Sequence, residues 1–382
     1  MLTRVLRDLF LPGASRGEPY VAFIADVAAP ARVMPDTVFY SNQAGFRLRT
    51  MMAARGVATQ MPAWLIPPAL AGARGGLKTL GEPQAIFVSK FLIGRMVANR
   101  RVFDRILERL AESAVPAVAD VTDDFRLVPV KVDDHGAYLY EWQRALGERC
   151  HFVCTTEALR ETVGPIAKRG TSLIEDPYEW NELGIWRAPS ADPIRICWFG
   201  NTASETLPPV ERTLNDILSA FPERRFVIEI VTAVRWNLID EMIKRLSGCA
   251  RDASFIRTNW SLDATRTALE RSDFAILPHN TSSDWVRGKS HNRLVAAIAA
   301  GRLALASPIP AYQELREGAW ISEDLVAGLA WALANPHAAG EKVRRGQLLV
   351  EPRFSPAAVQ EKWRAVFMSL LSGQPTARAA HG

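Results

Sequence analysis

Cysteine is scarce in this chain, with four in 382 residues and none spaced as Cys-x-x-Cys. The nearest pair is Cys150 and Cys154. That spacing argues against a disulfide scaffold or a structural zinc site, so reduced, buried thiols of a cytosolic protein are expected. Long apolar runs are missing too. No stretch of about 20 apolar residues occurs, so no membrane-spanning helix is expected. The opening segment 1–12 breaks its apolar run with Arg4, Arg7 and Asp8, unlike the core of a secretory signal. Two readings remain for it: a short amphipathic helix in peripheral contact with a membrane, or a segment packed on the protein. Neither sign of charge dominates, with 46 basic against 41 acidic residues and a net +5. There is no dense Lys/Arg block and no RNA-binding aromatic–glycine signature. Phosphates or anionic head groups suit such a balance, and nucleic acid is not an expected partner. Glycine and proline, 24 of each, are at ordinary usage, which excludes collagen-like and low-complexity chains.

What is present is an ordinary globular composition, 48% hydrophobic and 23% charged, long enough for two domains. Short apolar runs alternate with helix-like segments. Strands are expected at Val21–Val27, Ala85–Ser89, Ala117–Val121 and His151–Thr155, with helices at Gly45–Arg55 and Phe91–Ser113. The second half repeats the rhythm. Its expected strands are Ile194–Phe199, Phe226–Val231, Ser254–Ile256, Phe274–Leu277 and Leu303–Ala306. Its helices are expected at Leu207–Ala220, Asn237–Ser247, Leu262–Arg271 and His291–Ala300. Continuous apolar strands between helices predict an α/β fold with parallel sheets covered on both faces. Three prolines, several charges and two tryptophans between 175 and 193 read as a linker. The expected organisation is a Rossmann-like domain over 1–174, a linker over 175–192 and a second Rossmann-like domain over 193–355. A closing helix over 356–372 and a disordered tail over 373–382 follow. Ser355 and Pro356 form the start signal of that helix.

Parallel sheets bind ligands beyond the carboxyl ends of their strands. The richest such segment runs from Asp273 to Ser307. A strand ends there, a polar loop follows, and Gly288-Lys289-Ser290-His291-Asn292-Arg293 opens a helix. With Ser290 as the cap, Lys289 and Arg293 lie one turn apart near the positive helix end, an arrangement suited to an anion. The alternative is a capped surface helix with two solvated cations. His279 follows the strand, and Trp285 offers a ring for stacking or for packing. His291 adds charge only when protonated. Gly200, after another strand, permits close backbone approach or makes a tight turn. In the first half, the polar loop Ser41-Asn42-Gln43-Ala44-Gly45-Phe46-Arg47 precedes a helix, and Arg47 and Arg49 are candidates for an anionic ligand or for a solvated face. Asp120, Asp123 and Asp124 follow a strand. One of them can orient or deprotonate a hydroxyl, or the group caps a turn. His151 reads as structural.

Several motifs occur in a telling order. They are Trp198-Phe199-Gly200-Asn201, Lys289-Ser290-His291-Asn292-Arg293, Ala300-Gly301, and Pro308-Ile309-Pro310-Ala311-Tyr312-Gln313-Glu314-Leu315. The segments Ala119 to Phe125 and Phe152 to Leu159 add to them. In layout the chain resembles, over roughly 20–370, the GT-B glycosyltransferases of the retaining, nucleotide-sugar-dependent group. The resemblance implies two facing Rossmann-like domains, a nucleotide-diphosphate sugar as substrate, no other cofactor, and a glycan, lipid-linked sugar or other polar acceptor. Donor-binding roles then fall to Gly200, Asn201, His279, Trp285, Lys289, Ser290, Asn292 and Arg293. Acceptor-binding roles fall to Asn42, Gly45 and Arg47, and catalytic roles to Lys289, Arg293 and Asp123. With cations at the leaving group no metal is required, and no Asp-x-Asp motif is seen. One departure stands out. Two glutamates spaced E-x7-E in many of these enzymes align with Gly288 and Ala296. The alternatives are a non-catalytic nucleotide or glycan binder of the same fold, and a sugar-nucleotide epimerase.

Overall fold

The computed structural model describes residues 18–37, 41, 43–90, 100–127, 135–189, 192–202, 206–233, 236–247 and 252–373. The opening segment 1–12, positions 91–99 of the expected helix Phe91–Ser113, and positions 374–382 of the expected tail lie outside them. The chain divides into two compact units, 1–176 with 356–382, and 177–355.

The first unit is built on seven strands: β1 (Tyr20–Ile24), β2 (Ala31–Val33), β3 (Ala63–Ile66), β4 (Pro83–Val88), β5 (Ala117–Val121), β6 (His151–Cys154) and β7 (Thr171–Leu173). Their order is β2-β3-β1-β4-β5-β6-β7, parallel except for β2 against β3. A six-residue π-helical stretch (Phe46–Met51) leads into α1 (Met52–Ala58), and α2 (Arg100–Glu112), α3 (His135–Arg149) and α4 (Glu157–Val163) follow. Along β1, Tyr20, Ala22 and Ile24 enter one core, while Val21 and Phe23 enter the other. Both faces are thus dry, which is why the strand reads as an unbroken apolar run. The closing helix, Pro356–Leu371, belongs to this unit. It buries Val359, Trp363 and Phe367 completely, with Trp363 edge-on to Phe87. Gly56 of α1 lets it approach, since a Cβ there would sit 2.3 Å from the Gln360 carbonyl oxygen.

The second unit carries β8 (Ile194–Phe199), β9 (Phe226–Thr232), β10 (Ala253–Asn259), β11 (Phe274–Leu277), β12 (Leu303–Ala306) and β13 (Trp320–Ile321). All are parallel, in the order β10-β9-β8-β11-β12-β13. Its helices are α5 (Leu207–Ala220), α6 (Trp236–Ser247), α7 (Leu262–Arg271), α8 (Asn292–Ala299), α9 (Leu325–Ala334) and α10 (Pro336–Phe354). From β8 the connections first run one way, through β9 and β10. From β11 they run the other way. The switch point therefore lies between the neighbours β8 and β11, where open α/β sheets form their ligand crevice.

The segment expected as a linker is not a loose one. Tyr178 and Trp180 are buried in the second unit. The Gly184 N–H donates to the Ala299 carbonyl at 2.6 Å, and Gln347 Nε2 and Arg302 Nη2 donate to the carbonyls of Gly184 and Ile185. Aromatic burial docks this stretch despite its prolines and charges.

Candidate functional site

β8 and β11 pair through Ile196–Phe274 and Cys197–Ala275, so their carboxyl ends open side by side. Gly200 follows the first, and Pro278 and His279 the second. Helix α8 runs back from this edge. Its buried face is Leu294, Val295, Ala297, Ile298 and Ala299, small enough for close packing. Gly301 ends it with φ +72°, and a Cβ there would fall 2.7 Å from the Gly184 carbonyl oxygen, so both the turn and the neighbour demand glycine.

Three side chains meet at the switch point. Arg293, from the first turn of α8, places Nη2 2.8 Å from Nε2 of His279. The hydroxyl of the fully buried Tyr312 lies 3.3 Å from the same nitrogen, within reach of the Arg293 charge. A guanidinium only donates, so Nε2 accepts and the imidazole proton is on Nδ1. Burial, followed by the charges of Arg293 and Lys289, holds the proton affinity of His279 well below its ordinary value near 6.5, so the ring is neutral at pH 7. Ser307 Oγ accepts from the His279 backbone N–H at 2.9 Å and fixes its position. Gly200 sits beneath Arg293. A Cβ on it would lie 3.0 Å from Nη1 and 3.2 Å from the ring of Trp198. Among the described residues Arg293 has no carboxylate partner. Lys289 follows a 3-10 turn (Asp284–Gly288) and rests Nζ 3.9 Å above the Trp285 ring, a cation–π contact.

Some expected parts stand elsewhere. Helix α8 begins at Asn292, with His291 rather than Ser290 at the cap, and the cap makes no side-chain bond. Ser290 Oγ lies 3.5 Å from the Asn292 N–H, at the limit of a hydrogen bond. His291 is turned inward and fully buried, with Nε2 3.1 Å from Glu314 and its ring edge-on to Phe354. Glu314 also pairs with Arg353 at 2.5 Å. Burial pushes its carboxyl up, but His291 and Arg353 outweigh that and hold it down at about 2. Asn201 is exposed just past β8.

The described residues expected in the first unit make ion pairs and hydrogen bonds within that unit. Asp123 is paired with Lys90 and accepts from Thr122 Oγ1 at 3.1 Å. Asp124 turns away, buried against Arg126, as adjacent side chains on an extended loop must diverge. Gly45 leads into the π-helical stretch, Arg47 donates to the Ser41 carbonyl at 2.7 Å, and Asn42 lies outside the described residues. Arg49 is fully buried. It donates to Asp120 Oδ1 at 2.8 Å and to the Ile174 carbonyl, has Asp176 at 3.6 Å, and lies over the Trp363 ring at 4.9 Å. Burial raises the proton affinity of Asp120 even against the pull of Arg49. His151 is tied to Ser172 and the Arg169 carbonyl, a structural role. Cys150 and Cys154 are buried free thiols, pushed by burial up to about 12, and Cys249 lies outside the described residues. Among the described residues, no group of three or more His, Cys, Asp or Glu side chains is placed to hold a metal, and no helix is long and apolar enough to cross a membrane.

Sequence reasoning quoted Tyr312 and Glu314 only as letters of a motif. Their roles, one against His279 and Arg293, the other bracing His291, depend on contacts distant in sequence.

Two α/β units on largely parallel sheets, a switch point in the second and a closing helix packed on the first match the GT-B class of fold, and the chain has that fold. Solved structures that resemble it include several that are distant in sequence. HepE of Anabaena, in complex with UDP-glucose, is 12% identical with a TM-score of 0.62, over 92% of this chain and 99% of that one. OtsA is 11% identical with a TM-score of 0.58, over 94% of this chain and 99% of that one. TarM of S. aureus, solved with fondaparinux, α-GlcNAc-glycerol and UDP, is 12% identical with a TM-score of 0.52, over 75% of this chain, which spans 55% of that one. No family model matches the chain, and no curated protein does.

Proposed function

We propose that the chain is a glycosyltransferase that takes a nucleotide-diphosphate sugar and transfers the sugar, with retention, to a glycan, lipid-linked sugar or other polar acceptor. In that reaction the bond between the anomeric carbon and the diphosphate oxygen breaks, and its electron pair goes to the phosphate. The acceptor oxygen bonds the anomeric carbon and gives its proton to the freed phosphate oxygen. Charge grows on the leaving diphosphate, and fixed cations stabilise it without a metal. The observation that carries this reading is Arg293. Its hydrogen-bond partner is a neutral imidazole, so its full charge remains available for an anion at the switch point. Lys289 adds a second cation, and Gly200, Asn201, Trp285, Ser290 and Asn292 complete the donor side. Asn42, Gly45, Arg47 and Asp123 of the first unit are assigned to the acceptor. The setting is cytoplasmic, with peripheral contact to a membrane when the acceptor is lipid-linked.

A thermal-shift screen against UDP-, GDP-, ADP- and CDP-sugars tests the reading. One nucleotide class is expected to raise the melting temperature, and nucleoside diphosphate is then expected to be released slowly from that sugar donor even without acceptor. Lys289→Ala is expected to cut turnover strongly with the fold intact. No shift with any of the four overturns the proposal. A shift with neither release nor transfer favours the second reading, a non-catalytic binder, which the replacement of two family glutamates by Gly288 and Ala296 motivates.

A further inference from the structure

We propose that His279 is a positioning residue, which accepts a hydrogen bond from Arg293 on Nε2 and so aims the guanidinium over Gly200 toward the diphosphate; the aim, though not the bond, rests on the reading above. Arg293 lies on α8 and His279 in the loop after β11. The 2.8 Å contact between them links the two elements across the switch point. A ring nitrogen has one lone pair. Arg293 at 2.8 Å takes most of it, and the Tyr312 hydroxyl at 3.3 Å shares the same acceptor as a weaker second donor. Arg293 is therefore gripped by an acceptor that carries no charge.

A carboxylate in place of His279 would grip more tightly but cancel the charge that an anion needs. An imidazole orients and leaves the charge unspent. Its own place is set by the Ser307 bond to its backbone and by edge-on contact with the Tyr312 ring, centroids 5.4 Å apart. The charged and titratable groups that face it are Arg293 from α8, Lys289 from the preceding loop and Tyr312 from beyond β12, with no carboxylate among the described residues. Both nearby charges are positive, so a proton on the imidazole would repel Arg293 and remove the acceptor together.

Nitrogen-15 NMR of histidine-labelled protein, without any nucleotide, is expected to show His279 Nε2 unprotonated and hydrogen-bonded at pH 7. A protonated Nε2 overturns the proposal whatever the protein binds. UDP and UDP-glucose then probe the aim by calorimetry. His279→Leu is expected to weaken binding about tenfold, the weight of one hydrogen bond, and His279→Gln, which restores an acceptor, to recover most of it. In an Arg293→Ala background His279→Leu is expected to cost nothing further. An equal loss in both backgrounds means that His279 acts on its own and overturns the positioning role. If neither probe binds the wild type, the functional reading fails, while the NMR result still decides the bond.

Discussion

Arg49 and Arg293 are the same side chain in opposite surroundings. Arg49 is fully buried in the first unit, against Asp120 and Asp176 and under Trp363. Its charge is consumed by carboxylates, and it holds together the π-helical stretch, β5, the segment after β7 and the closing helix. Arg293 is half-buried in the second unit and held by a neutral imidazole. A cation with carboxylate partners is a fastener. A cation with a neutral partner near a strand's end keeps its charge for an anion, which is the role proposed for Arg293. Which partners a guanidinium keeps is thus a better guide to function than its presence in a motif.

The contrast is broken most severely at Arg49. Arg49→Ala leaves Asp120 buried without its partner and is expected to cost about 3–5 kcal/mol of stability, read as a lower urea midpoint. A loss under 1 kcal/mol would mean that the first-unit cluster is not a fastener. Arg293→Ala comes next and should do the reverse. Turnover is expected to fall roughly 30- to 1,000-fold, about 2–4 kcal/mol, with an unchanged melting temperature. Arg293→Lys is also expected to lose activity, since an ammonium cannot replace the planar fork. Parallel losses of stability and activity would place Arg293 with Arg49.

A gentler change sharpens the picture from below. Gly200→Ala adds a methyl group 3.0 Å from Arg293 Nη1 and 3.2 Å from the Trp198 ring. Either neighbour must move by a few tenths of an ångström. If Arg293 yields, turnover is expected to fall about tenfold through misplacement. Wild-type turnover would show that the guanidinium has slack.

The smallest effect is in pH. His279 binds its proton more weakly in the folded chain than its ordinary value near 6.5. Below that pH the unfolded chain takes up the proton first, so this contribution to stability declines as pH falls and is constant above it. Asp120 has the opposite sign. Its proton affinity is raised above the ordinary 3.8, so its contribution declines as pH climbs from there. Denaturation midpoints of wild type and His279→Gln should diverge only below about pH 6.5. Divergence above that pH would assign the slope to another group.

Much of the fold was legible as apolar runs. The expected strands Ala117–Val121, Ile194–Phe199, Phe274–Leu277 and Leu303–Ala306 coincide with β5, β8, β11 and β12. Central strands of a parallel sheet are buried on both faces and so appear as continuous hydrophobic stretches. The edge strands β2 and β13 escaped because three and two residues make no pattern. Helix α10 escaped because Gly340, Gly346 and Pro352 weaken its helical propensity. Packing overrides that, since Gly346 lies against Gly318 and Gly340 against the Trp186 ring. Around the candidate site, the position of Lys289, Arg293 and Gly200 next to strand ends could be read from the sequence, whereas the cap stands at His291 and not at Ser290. The neutral grip on Arg293 was not visible, because His279 comes to it from another element. Nor was the loss of Arg49 to Asp120, a partner 71 residues away.

Glu314 has a consequence for anyone who would cut this chain. It bridges His291, just ahead of α8, and Arg353, in the last turn of α10. All three lie inside 177–355, as do His279, Ser307 and Tyr312. The scaffolding around Arg293 is therefore portable, since a graft bounded at Pro177 and Ser355 carries every one of these braces with it. A graft that ended three residues earlier, at Pro352, would leave Glu314 with one partner instead of two.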